Sequence, residues 1–168
     1  MSAVVWLVLG AFAGWVGRYV LQVTKQRSEE LHWLRDRMLA AADEFATSAM
    51  RVTAEIGAKS TFDMNDRDDA FAQVKAYRLA HTEAAARLPR VDLLFGVESP
   101  SAEAARAELH HLGAIRKAAQ AVLDATRGED HETKVAAWAK LVSETAPLQM
   151  AFRQTAQKAV ARPKFVGL

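Results

Sequence analysis

From Ala3 to Gly17 the chain presents 15 consecutive residues without a charge, and the apolar character resumes after Arg18 as Tyr19 to Val23. A segment of this kind has few destinations. A helix needs about 20 residues to cross the hydrocarbon of a bilayer, and Ala3–Val23 supplies 21 if Arg18 lifts its guanidinium to the headgroups from the last turns. Trp6 near one end, and Trp15 with Tyr19 near the other, stand where amphipathic rings rest at membrane interfaces. A secretory signal fits less well, because its positive charge precedes the apolar core, whereas here no Lys or Arg precedes Ala3. A buried core helix is the remaining alternative, since apolar runs of this length also occur inside globular proteins.

Charge asymmetry then sets an expected orientation. Arg18, Lys25 and Arg27 flank the C-terminal side of the run, and basic residues stay on the cytoplasmic side. The expectation is a single-pass protein of the inner (plasma) membrane, with a short N-terminus outside and everything after Val23 in the cytoplasm. Lys25, Arg27, Arg35 and Arg37 would then meet anionic lipid at about 1 kcal/mol each, an attraction that Glu29 and Glu30 reduce. Within the run, Gly10, Gly14 and Gly17 recur on one helical stripe. Small residues so placed let two helices approach closely in lipid, which makes self-association one reading; the other is that glycine is common in membrane helices generally.

The rest of the chain is a helix-former's sequence. Among 168 residues there are 34 Ala, 8 Gly and 4 Pro, a bias toward the strongest helix former and away from the residues that punctuate sheets and long loops. Hydrophobic residues make up 51% and charged ones 25%, as in a globular chain of about one domain. The absence of cysteine excludes thiolate metal sites and thiol catalysis. A net charge of only +2 gives no basic surplus that would attract nucleic acid.

Four runs of apolar residues follow at steps of three and four. Leu31, Leu34, Met38, Ala41, Phe45, Val52 and Ile56 give one face over residues 28–58, with no helix breaker between Gln22 and Ser28 to separate it from the apolar segment. Ala70, Val74, Tyr77, His81, Ala84 and Leu88 form a second face, started by Asp63 or Asn65 and stopped at Pro89. Val91–Gly96 then reads as a loop with an apolar plug over one end of a bundle. Ser99-Pro100 signals a third helix start, whose face Ala105, Leu109, Leu112, Ala119 and Leu123 runs toward Gly128. Asp130 caps a fourth, with Val135, Trp138, Val142, Thr145, Leu148, Phe152, Ala156 and Ala159 on its face and Pro147 kinking or splitting it. The expected fold is all-α: an N-terminal transmembrane helix at 1–24, an up-down four-helix bundle at 25–162 and a tail at 163–168, with closely spaced helices implied by the alanine seams.

Chemistry is scarce in this pattern. Glu29/His32 and Glu108/His111 have the E-x-x-H spacing of di-iron carboxylate bundles. By helical phase, however, Glu29 and His32 point about 150° from their apolar face, and Glu108 and His111 about 60° and 120° from theirs. No nucleophile elbow or phosphate-cradling glycine loop is present. His81 falls within about 20° of its helix's buried direction, as a buried polar residue or as a ligand or pH-sensing group. No catalytic, cofactor-binding or metal-binding residue is assigned.

The stretch Arg87–Ala105, RLPRVDLLFGVESPSAEAA, with its R-x-x-L-L-F-G connection, and the helix around Leu39-Ala-Ala-Ala-Asp-Glu-Phe45 resemble uncharacterised actinobacterial single-span membrane-anchored helical proteins over about residues 1–125. The resemblance implies location and architecture and brings no activity, cofactor or site residue. The expected function is accordingly non-enzymatic: a membrane-anchored bundle that binds itself or other membrane proteins as a scaffold, with the lipid bilayer as its other partner and no nucleic acid. A ligand-sensing bundle centred on His81 and a metal-dependent bundle enzyme are the alternatives.

Overall fold

The computed structural model describes residues 2–58, 66–125 and 129–162, with side chains described over 16–51, 66–125 and 130–162. Every element among these residues is a helix: α1 (Ser2–Ala58), α2 (Arg67–Phe95), α3 (Pro100–Asp124), α4 (Glu129–Ser143) and α5 (Thr145–Ala161). The chain divides into two compact units, Met1–Asp36 and Arg37–Leu168.

The first unit lies wholly within α1, whose helical backbone runs unbroken through residues 22–28 as the lack of a breaker predicts. Arg18, Lys25 and Arg27 are exposed, and Lys25 meets Glu29 one turn on at 3.9 Å. Among the described residues no helix is long and apolar enough to cross a membrane; the side chains of residues 1–15, which carry most of the uncharged run, lie outside them.

The second unit is an antiparallel bundle. Pairs between α1 and α2 run in opposite senses, Arg51 with Glu83 and Glu44 with Arg90, and so do α1 and α5, where Met38 shares a hollow with Ala159 and Arg162 while Phe45, two turns on, meets Phe152. The core seam of α3 is Ser101, Ala105, Glu108, Leu112, Ile115, Ala119 and Val122, all buried and spaced by fours and threes, the period of helices that cross at a shallow angle. Its counterpart on α2 is Gln73, Tyr77, Ala80, Ala84, Val91 and Phe95. Alanines in both seams, Ala80 and Ala84 on α2 and Ala105 and Ala119 on α3, let the two backbones come close, and Phe45 packs against Phe152 of α5 with ring centroids 4.9 Å apart in an edge-to-face pair.

Three sequence expectations are corrected here. Pro89 does not stop α2, which continues to Phe95, so Val91–Phe95 is helix rather than a plug loop. An internal proline costs about 3 kcal/mol; burial of Val91 and Phe95 and the Arg90 guanidinium donating to both Glu44 oxygens at 2.7 and 2.8 Å outweigh it. Asp130 is inside α4, paired with Lys134, rather than at its cap. α2 is capped by Asp66, whose carboxylate accepts from the N–H groups of Asp68 and Asp69; Asp63, Asn65 and Gly128 lie outside the described residues.

The fourth expected helix is two. The break falls at Glu144, three residues before Pro147, because a proline ring would strike the carbonyl four residues back in a continuous helix but is tolerated in a first turn, where no intrahelical donor is needed.

Candidate functional site

The α4–α5 break is held by a cluster of polar groups from α3 and α5. Glu144 N–H donates to the carbonyls of Lys140 and Leu141 at 3.3 and 3.1 Å, closing the last turn of α4. His111 Nε2 lies 2.9 Å from the Leu141 carbonyl oxygen, a geometry that places the ring proton on Nε2 as donor. Thr145 Oγ1, buried at the start of α5, is 3.4 Å from both groups. His111 thus satisfies a helix-end carbonyl, the structural role its helical phase left open.

Glu108 is the most unusual group in the core. It is 1% exposed, and neither carboxylate oxygen has a hydrogen-bond partner among the described residues. Burial pushes its pKa up to about 7, partly offset by the Arg153 guanidinium of α5. The neutral acid is therefore populated at physiological pH, since an ionised carboxylate without partners is costly in an apolar interior. Gln73 on α2 is its counterpart in composition, 1% exposed with both amide atoms unpartnered among the described residues. The two stand at different levels of the bundle, Gln73 in the first turns of α2 near the α3 C-terminus and Glu108 in the first half of α3.

His81 stands beside the α2 seam rather than on it; the centre is Ala80, and His81 is half-buried. Its ring rests over Gly113 of α3, where an added Cβ would come within 3.3 Å of Nε2. Burial lowers its pKa first and the neighbouring Arg116 charge second, so the imidazole is neutral at pH 7. Tyr77, a turn earlier, is pushed up to about 12 by burial, with the Trp138 indole acting against it. No group of three or more His, Asp or Glu able to hold a metal occurs among the described residues.

The stripe at Gly10, Gly14 and Gly17 is helical throughout. Gly10 and Gly14 belong to the segment whose surroundings are outside the described residues, and at Gly17 an added Cβ meets nothing within 4 Å.

Two surface hollows flank the core. A groove of about 770 Å³ between α1 and α2 is lined by Asp43, Glu44, Arg51, Glu83 and Arg87 among others. Four of its charges pair with one another, Arg51 with Glu83 at 2.8 Å and Arg87 with Glu44 at 3.9 Å, and Asp43 adds one more acid to the lining. The second, of about 330 Å³, lies where the ends of α2 and α5 meet the start of α3. Beside it the α2–α3 corner is exposed and apolar at Leu93 and Val97, 76% and 60% accessible.

Sequence reasoning missed Glu108 and Gln73 as core groups because it followed the longest apolar side chains. The seam runs instead through the alanines, one position to the side. The comparisons add nothing to this geometry: the chain matches no family model, no curated protein and no solved structure.

Proposed function

We propose that this protein is a single-pass, membrane-tethered helical bundle that works by binding rather than by chemistry. The observation that carries the reading is that α1 is one helix from Ser2 to Ala58, with the uncharged run at one end and the core residues Met38, Ala41, Phe45 and Ala49 at the other. Anchor and bundle are thus built on the same element. Tethering raises the effective concentration of a binding surface for partners in the same membrane, and the exposed Leu93 and Val97 offer such a surface on the bundle. The basic flank Arg18, Lys25 and Arg27 supports an orientation with the bundle in the cytoplasm. The Gly10, Gly14 and Gly17 stripe supports pairing of two anchors, and the likeness to actinobacterial single-span proteins agrees with the same placement.

Fractionation of cells expressing the full chain tests the anchor: the protein should pellet with membranes and resist carbonate extraction, and recovery in the soluble fraction overturns the reading. Gly14→Ile should abolish pairing in a membrane two-hybrid assay while leaving membrane recovery unchanged. Pairing that survives the substitution removes the stripe from the account.

A further inference from the structure

α5 ends in the wall of the hollow at the start of α3. Its last helical residue is Ala161, and Arg162 caps it at φ −135° and ψ 68° with its N–H on the Ala159 carbonyl. Arg162 and Ala159 both line the hollow. The next residue is Pro163. A proline has no N–H to extend the helix and keeps the residue before it out of the helical region, so the chain leaves the axis of α5 at the rim of the hollow. The tail expected at 163–168, Pro163-Lys164-Phe165-Val166-Gly167-Leu168, lies outside the described residues.

The space that Arg162 borders suits an apolar occupant. Its other walls are Met38 of α1, Leu94 and Phe95 of α2 and Pro100 of α3, and covering apolar walls that face water is favourable. The tail carries a group of that kind within reach. Phe165 stands three residues beyond Arg162, a span of up to about 10 Å, and an aromatic ring brings a large apolar area on few rotatable bonds. In an extended segment residues two apart share a face, so Pro163 and Phe165 turn one way and Lys164 the other, which keeps the Lys164 ammonium away from Lys158 and Arg162 in the wall. At about 30 Å³ per water-sized group, the ten side-chain carbons of Pro163 and Phe165 take about 300 Å³, against about 330 Å³ for the hollow.

We infer that the chain's own tail closes this hollow, with the Phe165 ring seated against Met38, Leu94 and Phe95 and the segment from Arg162 laid across the start of α3. The contact is intramolecular because the link is short: three residues hold the ring at an effective concentration of the order of millimolar, which a second copy at micromolar concentration does not match. So placed, the tail ties the end of α5 to the α2–α3 corner, while Leu93 and Val97, which are outside the lining residues, stay exposed.

The seat of the ring is independent of the membrane tether and can be read directly. The full chain is taken in phosphatidylcholine nanodiscs if it fractionates with membranes and in buffer if it does not, deuterated except at the methyls of Met and Leu and the rings of Phe. Nuclear Overhauser effects should join the Phe165 ring, identified by the signals lost in Phe165→Leu, to the methyls of Met38 and Leu94. Phe165→Leu should shift those methyl resonances and leave that of Met50, in the groove between α1 and α2, in place. Removal of residues 163–168 should lower the denaturation midpoint, and Phe165→Ala should reproduce most of that loss while Lys164→Gln should not. Absence of the Overhauser effects, or Met38 and Leu94 methyls that do not respond to Phe165→Leu, overturns the inference. In a mixture of chains protonated only at the methyls with chains protonated only at the Phe rings, a tail folded back on its own chain gives no such effect; effects that persist in the mixture assign the ring to a second copy and overturn the intramolecular contact.

Discussion

At the scale of the residue, Glu108 governs how stability responds to pH. The unfolded carboxyl titrates near its ordinary value and the folded one near about 7. Over that interval the native chain holds a proton that the unfolded chain has released, so Glu108's contribution to stability falls as pH rises and is lost above pH 7. His81 acts in the opposite sense: its folded pKa is lowered, so its contribution is lost as pH falls below the ordinary histidine value. Glu108→Gln, which keeps the shape and removes the titration, should raise stability at pH 8 by up to about 3 kcal/mol and change it little at pH 4. Denaturant unfolding of both chains across that range checks the sign, and equal stabilisation at both ends contradicts a titrating Glu108. Gly96 is the other residue with a sharp requirement. It closes α2 at φ 89°, a left-handed backbone angle, with its N–H on the Asp92 carbonyl. Gly96→Ala should cost about 1 kcal/mol, measured as a shift in denaturation midpoint at unchanged slope.

At the scale of the element, helix ends decide where the chain turns. Ser99 accepts from Ala102 N–H, and Arg106 ties the corner by pairing with Asp92 at 2.9 Å and donating to the Val97 carbonyl. Ser99→Ala should therefore lose about 1 kcal/mol, the usual worth of an N-cap. His111 links α3 to the break between α4 and α5, and His111→Ala should cost about 1 kcal/mol by removing one hydrogen bond to the Leu141 carbonyl, which Glu144 N–H and Thr145 Oγ1 still reach. A sharper α4–α5 amide exchange response than at α2 would locate the loss at that junction. These ends were legible in unequal degree. The Ser99-Pro100 start is a local matter of one hydroxyl and one ring, and it stands where the sequence places it. Pro89 misled because the cost of a proline is local while the burial that overrides it comes from Val91, Phe95 and Glu44 on other turns and another helix.

At the scale of the whole molecule, α3 is the central element of the second unit, packed against α2, α4 and α5. Native-state hydrogen exchange should consequently find the slowest amides at Leu112, Ile115 and Ala119 of α3 and at Ala80 and Ala84 of α2, with α4 opening at lower free energy. Exchange that is uniform across the bundle would contradict a core centred there. The cluster beneath α4 has Val135, Trp138, Leu141 and Val142 packed half-buried against Tyr77, Ile115 and Val122, a thinner cover than the seam between α2 and α3.

The all-helical architecture and the antiparallel order of its helices were readable from alanine content, three-four periodicity and the scarcity of proline and glycine, because each of these acts within a few residues of backbone. The apolar faces of α1 and α5 were readable for the same reason: Met38, Ala41, Phe45, Phe152 and Ala156 are large or small enough to mark one side unambiguously, and all are buried. What only the packing of helix on helix decided is which stripe of α2 and α3 becomes the seam. Close approach of two backbones favours Ala80, Ala84, Ala105 and Ala119 over the bulkier Val74, Leu88 and Leu109, and that choice carries Gln73 and Glu108 into the interior and sets His81 at its edge. The cavity at the start of α3 belongs to the same class of property, since Met38, Phe95 and Arg162 are far apart in the chain and meet only when the ends of α2 and α5 and the start of α3 are brought against α1 by burial.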